Sequence, residues 1–254
     1  MTRHAGLIGR HIGYSASPAM HDAAFAAVGL DARYVLLDVP ADDLANVVAD
    51  MRDASWIGAN VTQPHKVAVC GLADSAAPEV ERLGAANTLL RDGARLTAHN
   101  TDLPALRTEL ARFGRVRHAV VLGAGGASRA AQAALADLGA SVEVIDRAHW
   151  DGMAEALERA DLLVNATPIG TASDDSPVPR TLLRDDLRVL DLVYRPSPTR
   201  LVRDARALGA AARGGAGMLL RQAALSFELW TGGEAPIALM RAALAHELGN
   251  ELDA

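Results

Sequence analysis

The stretch VLGAGGASRAAQAAL, Val121 to Leu135, constrains the fold more than any other part of the chain. An unbroken apolar run, Ala119–Gly123, feeds a turn that holds Gly123, Gly125 and Gly126. An alanine-rich helical pattern over Ala127–Leu138 follows. A strand that is apolar on both faces belongs inside a parallel sheet covered on both sides. Glycines in the turn let the backbone approach a bound phosphate closely, and the helix start offers unpaired N–H groups and a partial positive charge. Ser128 stands where the third glycine of the usual dinucleotide fingerprint would be, so the literal pattern is incomplete. The clear strand before the turn and the clear helix after it carry the reading instead.

The rest of the chain alternates in the same way, which predicts an α/β layered architecture. Strands are expected at Ala5–Gly9, Tyr34–Val39, Trp56–Val61 and Asn87–Arg91, with a short edge strand at Arg95–Asn100. Helices are expected at Pro18–Val28 and Asp42–Arg52. A second series begins after Asp102 and continues past the glycine turn with strands at Ser141–Ile145, Leu162–Asn165 and Val189–Val193. Helices at Met153–Ala160 and Thr199–Leu208 alternate with them, and TASDDSPVP (Thr171–Pro179) reads as a loop. This order describes a Rossmann-type domain over residues 104–217. Residues 1–103 form a separate α/β domain, completed by two terminal helices, Met218–Trp230 and Ile237–Leu248, that pack back on it.

The strand Ser141–Ile145 ends in Asp146-Arg147. Asp146 is spaced from the glycine turn as the acid that accepts ribose hydroxyls of NAD should be, whereas Arg147 suits a 2′-phosphate. The alternative is a tight strand–helix turn with an exposed aspartate.

The net charge is −6, and no cluster of basic residues marks a nucleic-acid footprint. Cys70 is the only cysteine, so an internal disulfide or a cysteine zinc site is excluded, and it reads as a small core residue. The eight histidines show no HExxH spacing; His65 and His99 read as supporting or surface residues, and no metal is expected. No segment is apolar over the ~20 residues of a membrane span, and a cytoplasmic protein is expected.

Lys66, in NVTQPHK (Asn60–Lys66), is the only lysine; the other 24 of the 25 Lys plus Arg are arginine. Lysine loses its proton near neutral pH when its surroundings lower its pKa, and arginine does not. A chain that places arginine everywhere else thus marks Lys66 as a candidate for proton transfer, with simple drift as the alternative. Asn60, Thr62 and Gln63 precede it at the end of an apolar strand, and Pro64 is expected to start a helix. Similar polar clusters, Tyr14-Ser15-Ala16-Ser17-Pro18, Asn87-Thr88 and Asn100-Thr101-Asp102, fall at comparable positions. Their hydroxyls and amides suit a polyhydroxylated ligand, although each alone also reads as a cap or turn, Ser17 capping the helix at Pro18. A dinucleotide fold with a lysine among hydroxyl-binding groups and no metal fits hydride transfer at a secondary alcohol.

In order along nearly the whole chain, YSASP, NVTQPHK, GAANTL, NTD, GAGGASRA, NATPIG, DLVYRPSPT and GAGMLLRQAALSFELWTG resemble motifs of the shikimate dehydrogenase family. The resemblance implies that Lys66 and Asp102 form the catalytic pair. It implies that Ser15, Ser17 and Tyr194 hold the substrate carboxylate, and that Thr62, Asn87 and Gln222 bind ring hydroxyls with Asn60 nearby. Gly123, Ala124, Gly125, Gly126 and Ala127 would hold the dinucleotide phosphates, and Leu192, Gly215 and Met218 would line the nicotinamide. The implied reaction is the reversible NAD(P)H-dependent reduction of 3-dehydroshikimate to shikimate, by a monomer or homodimer with no nucleic-acid or membrane partner.

Three departures stand out. Tyr14 replaces a histidine often found before S-x-S-P, and Leu103-Pro104 follows NTD where glycine is frequent. Asp146-Arg147-Ala148 stands where NADP-using members carry N-R-T. That last change leans to NAD or dual use, with Arg147 leaving NADP open. A quinate/shikimate or aminoshikimate dehydrogenase, or a non-catalytic dinucleotide or metabolite sensor on the same fold, are the competing expectations.

Overall fold

The computed structural model describes residues 2–249. They divide into two compact units, residues 2–101 with Leu220–Gly249 and, separately, Asp102–Leu219.

The first unit opens with β1 (Arg3–Gly9), α1 (Ser17–Ala27), β2 (Ala32–Asp38), α2 (Leu44–Asp50) and β3 (Trp56–Val61). It continues with β4 (Ser75–Ala76), α3 (Pro78–Leu83), β5 (Thr88–Asp92) and β6 (Arg95–His99). The sheet order is β2-β1-β3-β5-β6-β4. β1, β2 and β3 run parallel, β5 is antiparallel to β3, and β6 is antiparallel to β5. Ile8, Ala59, Val61, Leu89 and Leu96 form part of one core on this sheet, with Val48 and Met51 closing over it from the α2 side.

The second unit begins with α4 (Asp102–Ala111), β7 (His118–Leu122), α5 (Gly126–Asp137), β8 (Ser141–Ile145) and α6 (Met153–Arg159). β9 (Leu162–Asn165), β10 (Arg188–Asp191), α7 (Arg200–Ala207) and β11 (Ala212–Arg213) follow. The order β11-β10-β9-β7-β8 is parallel throughout, as the apolar strands predicted. Every residue of β9 is buried, and Val120, Leu122, Leu163 and Val189 share a core with Met153, Leu157 and Leu201. α8 (Ala216–Thr231) then carries the chain back, and α9 (Ile237–Leu248) packs on α1 within the first unit. Trp230 on α8 donates its indole N–H to the Leu89 carbonyl at 3.0 Å. A side chain at Gly58 would collide with that indole and with the Leu89 carbonyl, so the glycine permits the docking.

Several expectations need correction. Arg95–Asn100 is not the sheet edge, because the two residues of β4 pair outside β6. The Asp42–Arg52 helix is a short 3₁₀ turn (Ala41–Asp43) followed by α2. Pro64 starts no α-helix; a turn leads into a 3₁₀ segment at Ala68–Gly71. Ser17 is not a cap: α1 begins at Ser17, and the Ser15 hydroxyl accepts the Ser17 N–H at 3.2 Å. α3 and α4 were not foreseen. Pro104 reads as a breaker, yet a proline within a first helical turn gives up only an N–H that would have no partner there.

Candidate active site

In the first unit, the strand directions bring four polar clusters to one edge of the sheet. β1 and β3 end there, β5 starts there, and β6 ends there. The loop with Ser15 and Ser17 therefore lies at the same edge as Asn60-Val61-Thr62, Asn87-Thr88 and Asn100-Thr101. Strand order reverses between β1 and β3, the position where open α/β sheets bind ligands.

Behind that edge lies a buried network. The Tyr34 hydroxyl donates to Asn60 Oδ1 at 2.8 Å, and Asn60 Nδ2 donates to Ser226 Oγ at 2.8 Å and Thr88 Oγ1 at 3.1 Å. Asn87 Nδ2 donates to Thr101 Oγ1 at 2.9 Å, while Asn87 Oδ1 accepts the Thr101 N–H at 2.7 Å. Ser226 meets Thr88 and Thr101 at 3.0 and 3.2 Å and donates to the Gln222 carbonyl at 2.9 Å. One hydroxyl from α8 thus ties together three strand ends. Both ends of the Asn60 amide are engaged inside the protein, which suits it to positioning neighbours.

Lys66 is half-buried in the turn after β3, where its carbonyl accepts the Ala86 N–H at 2.8 Å. His65 beside it is buried, not at the surface, and its Nε2 pairs with the Val39 carbonyl at 2.8 Å. The loop carrying the lysine is therefore anchored on both sides. Gln222 is buried on α8, and Thr62 is half-buried at the end of β3.

In the second unit all strand ends point one way, and the glycine turn sits beside the reversal between β7 and β9. Gly123 has φ +104, and a Cβ there would lie 3.1 Å from the Ala166 carbonyl oxygen. No side chain caps α5 at Gly125, and no acidic residue stands in its first turn. An open helix start over a turn too tight for a side chain fits a dinucleotide pyrophosphate. Ser128 explains the missing third glycine: it is buried, and its hydroxyl donates to the Gly123 carbonyl at 2.6 Å, fastening helix to turn.

Asp146 follows β8. Its Oδ1 accepts from the N–H groups of Ala148 and His149 at 3.0 and 3.2 Å and from His149 Nδ1 at 2.7 Å. The hydrogen bond from His149, opposed by partial desolvation and aided by the backbone donors, holds its carboxyl below the usual range. The acid thus caps its own turn, and Arg147 stands between the two partners.

Leu192 and Tyr194 follow β10, and both are half-buried. A Cβ at Gly215 would collide with the Leu192 carbonyl, so only glycine allows that approach. Met218 is buried two residues into α8 beyond Ala216. Asp102, the first residue of α4, is buried too.

A second buried network was not foreseen as a unit. Asp191 accepts from Asn165 Nδ2 at 2.8 Å, the Thr199 hydroxyl at 2.6 Å and the Val193 N–H at 3.1 Å. Burial outweighs these three donors and pushes its pKa up to about 6. Asn165 Oδ1 in turn accepts from the Thr167 N–H and hydroxyl at 3.0 and 2.7 Å. The pattern was visible in NATPIG and DLVYRPSPT, whose polar residues stand at the ends of β9 and β10.

Among the described residues, no group of three or more His, Cys, Asp or Glu could hold a metal ion, and no helix is long and apolar enough to cross a membrane.

Comparison with known proteins agrees with this layout. The shikimate dehydrogenase substrate binding domain profile matches residues 7–89, and the shikimate 5′-dehydrogenase C-terminal domain profile matches residues 215–245. The NADP(+) shikimate dehydrogenase of Haloarcula marismortui is 42% identical, over 96% of this chain and 98% of its own. The chain belongs to the shikimate dehydrogenase family. It is an NAD(P)-dependent oxidoreductase acting on a CH–OH group, with an N-terminal substrate domain and a Rossmann-type domain. The Thermus thermophilus shikimate 5-dehydrogenase, solved with NADP(H) and shikimate, superposes with a TM-score of 0.87 at 37% identity, covering 97% of this chain and 100% of that one. A quinate dehydrogenase from Corynebacterium glutamicum, solved with NAD, gives 0.84 at 30% identity, covering 96% and 99%.

Proposed function

We propose that the chain oxidises shikimate to 3-dehydroshikimate, and reduces it back, with NADP as its preferred dinucleotide. The engaged Asp146 carries the cofactor reading. Read from the sequence alone, Asp146 leaned to NAD because its charge would repel a 2′-phosphate. In the structure that carboxylate is turned onto His149 and two backbone amides; Arg147, next to it in the chain, would supply the cation a 2′-phosphate needs. The curated relatives described as NADP(+) enzymes support the same choice.

When bound, the nicotinamide supplies two-electron hydride chemistry at the alcohol carbon. Lys66 takes the hydroxyl proton as the C–H bond of the secondary alcohol breaks, and returns it to the carbonyl oxygen in the reverse direction. Asp102 orients the lysine and the reacting hydroxyl. Ser15, Ser17 and Tyr194 hold the substrate carboxylate. Thr62, Asn87 and Gln222 meet ring hydroxyls, with Asn60 keeping Asn87 and Thr88 in place from behind. Leu192, Gly215 and Met218 form the apolar seat that keeps water from the ring. A positioned proton carrier of this sort contributes about 10²–10⁴-fold to the rate.

The deciding experiment is a four-way steady-state comparison, shikimate or quinate with NADP+ or NAD+. The highest kcat/KM is expected for shikimate with NADP+. A preference for quinate with NAD+ would move the chain to the quinate branch, and binding without turnover of any pair would make it a sensor.

A further inference from the structure

Asp191 closes β10 and is buried, and no step of the reaction uses its carboxylate directly. Its two oxygens take different partners. Oδ1 accepts from Asn165 Nδ2 and from the Val193 N–H, and Oδ2 accepts from the Thr199 hydroxyl. Thr199 in turn caps α7, its hydroxyl oxygen accepting the Val202 N–H at 3.4 Å. One carboxylate therefore gathers the end of β9, the residue after next beyond β10 and the start of α7. A buried polar network with its donors and acceptors matched fixes the segments that it joins.

Two of these partners lead to opposite sides of the dinucleotide crevice. Asn165 Oδ1 accepts from the Thr167 N–H and hydroxyl, which holds the segment whose Ala166 carbonyl stands against Gly123. Val193 leads the other way. Its carbonyl accepts the Gly215 N–H at 3.1 Å, and the Leu192 carbonyl before it is packed against Gly215. The paired register of β9 and β10 ends with Asn165 opposite Asp191. The side chains of that same pair extend the connection into the loops on both sides. The glycine turn and the Leu192–Gly215 seat are thus joined through the Asn165–Asp191 hydrogen bond. A dinucleotide held at both places needs their spacing fixed, because a misplacement of about 1 Å at a reacting group can cost about 10²-fold in rate.

We propose that Asp191 is a positioning residue for hydride transfer: it holds the Leu192–Val193 segment at a set distance from the glycine turn, so that a bound nicotinamide keeps one position on its seat. This rests on the reading given above, in which NADP lies along the turn with its nicotinamide at Leu192, Gly215 and Met218. The test is kinetic. In Asp191→Ala, kcat with shikimate and NADP+ is expected to fall about tenfold or more, while inhibition by adenosine 2′,5′-bisphosphate, which carries no nicotinamide, stays within about threefold of wild type. Asp191→Asn keeps an oxygen for Asn165 and Val193 and offers an N–H to the Thr199 oxygen, so it should recover most of the lost rate. Thr167→Val cuts the network at its other end, at a half-buried position, and should lower kcat in the same direction. It decides the matter if Asp191→Ala does not fold. A wild-type kcat in folded Asp191→Ala, or failing that in Thr167→Val, would overturn the proposal. So would an asparagine variant no faster than the alanine one, or bisphosphate inhibition that weakens in step with kcat. A wild type that turns over no substrate would overturn the reading beneath the proposal, and the proposal with it.

Discussion

The sheet of the first unit and that of the second both reverse strand order at their first strand, between β1 and β3 in one and between β7 and β9 in the other. Both therefore offer a crevice at the same topological position. What fills it differs. The second unit leaves its crevice nearly bare, with glycine at the turn and an uncapped helix start. The first furnishes its crevice with amides, hydroxyls and a lysine, supported by Ser226 from behind. A pyrophosphate is recognised by backbone, so the site needs side chains absent. A ring of hydroxyls is recognised by side chains, so the site needs them braced.

The two units also bury opposite kinds of titratable group. The first buries His21, stacked on Tyr34 at 4.5 Å and beside Phe25 and Trp230, with neither ring nitrogen hydrogen-bonded. Burial drives its pKa down to about 3. The second buries Asp191 with its pKa raised to about 6. These shifts give opposite responses to acid.

The largest expected effect is on the first unit. His21 stays neutral when folded but takes a proton when unfolded below about pH 6.5. Its contribution is therefore full above that pH and is lost as pH falls towards 3. The loss is about 1.4 kcal/mol per pH unit, on the order of 5 kcal/mol in all. Denaturant unfolding followed by Trp230 fluorescence, in a variant without the other tryptophans, should show this slope, and His21→Phe should flatten it. An unchanged slope would place the acid response elsewhere.

Asp191 works in the other direction and more weakly. Folded, it keeps its proton up to about pH 6; unfolded, it releases it near 3.8. Its contribution is present below about pH 4 and is lost as pH rises to 6, on the order of 3 kcal/mol. Trp150, as the sole tryptophan, should report this slope in the second unit, and Asp191→Asn should remove it. The same sign in both units would break the comparison.

The smallest effect concerns the bracing. Ser226→Ala removes the shortest hydrogen bond donated by the buried Asn60 amide and the hydroxyl that meets Thr88 and Thr101, and should cost about 1–3 kcal/mol. Its signature in kinetics is a raised KM for shikimate with the KM for NADP+ unchanged. If both rise together, Ser226 does not serve the first crevice alone.

Much of this was legible in the residues. Trp56–Val61, Ser141–Ile145, Leu162–Asn165 and Ile237–Leu248 have the predicted bounds, because each is a sharply bounded apolar or helical pattern. α4 was hidden by Pro104, and β4 and β11 by their two-residue length, which shows no periodicity. The polar clusters were legible as single motifs, but their joining was not. Asn60, Thr88, Thr101 and Ser226 are distant in sequence, and only strand pairing makes them neighbours. Asp146 shows the limit most clearly. Its spacing from the glycine turn was readable, but the capture of its carboxylate by His149 depends on the local turn.

The account rests most on Lys66 as the proton carrier, and kcat of Lys66→Arg with shikimate and NADP+ tests it most directly. Arginine keeps the charge and holds its proton. The prediction is a fall in kcat of about 10²-fold or more with the shikimate KM within about threefold of wild type. A near-wild-type kcat in that variant would contradict it.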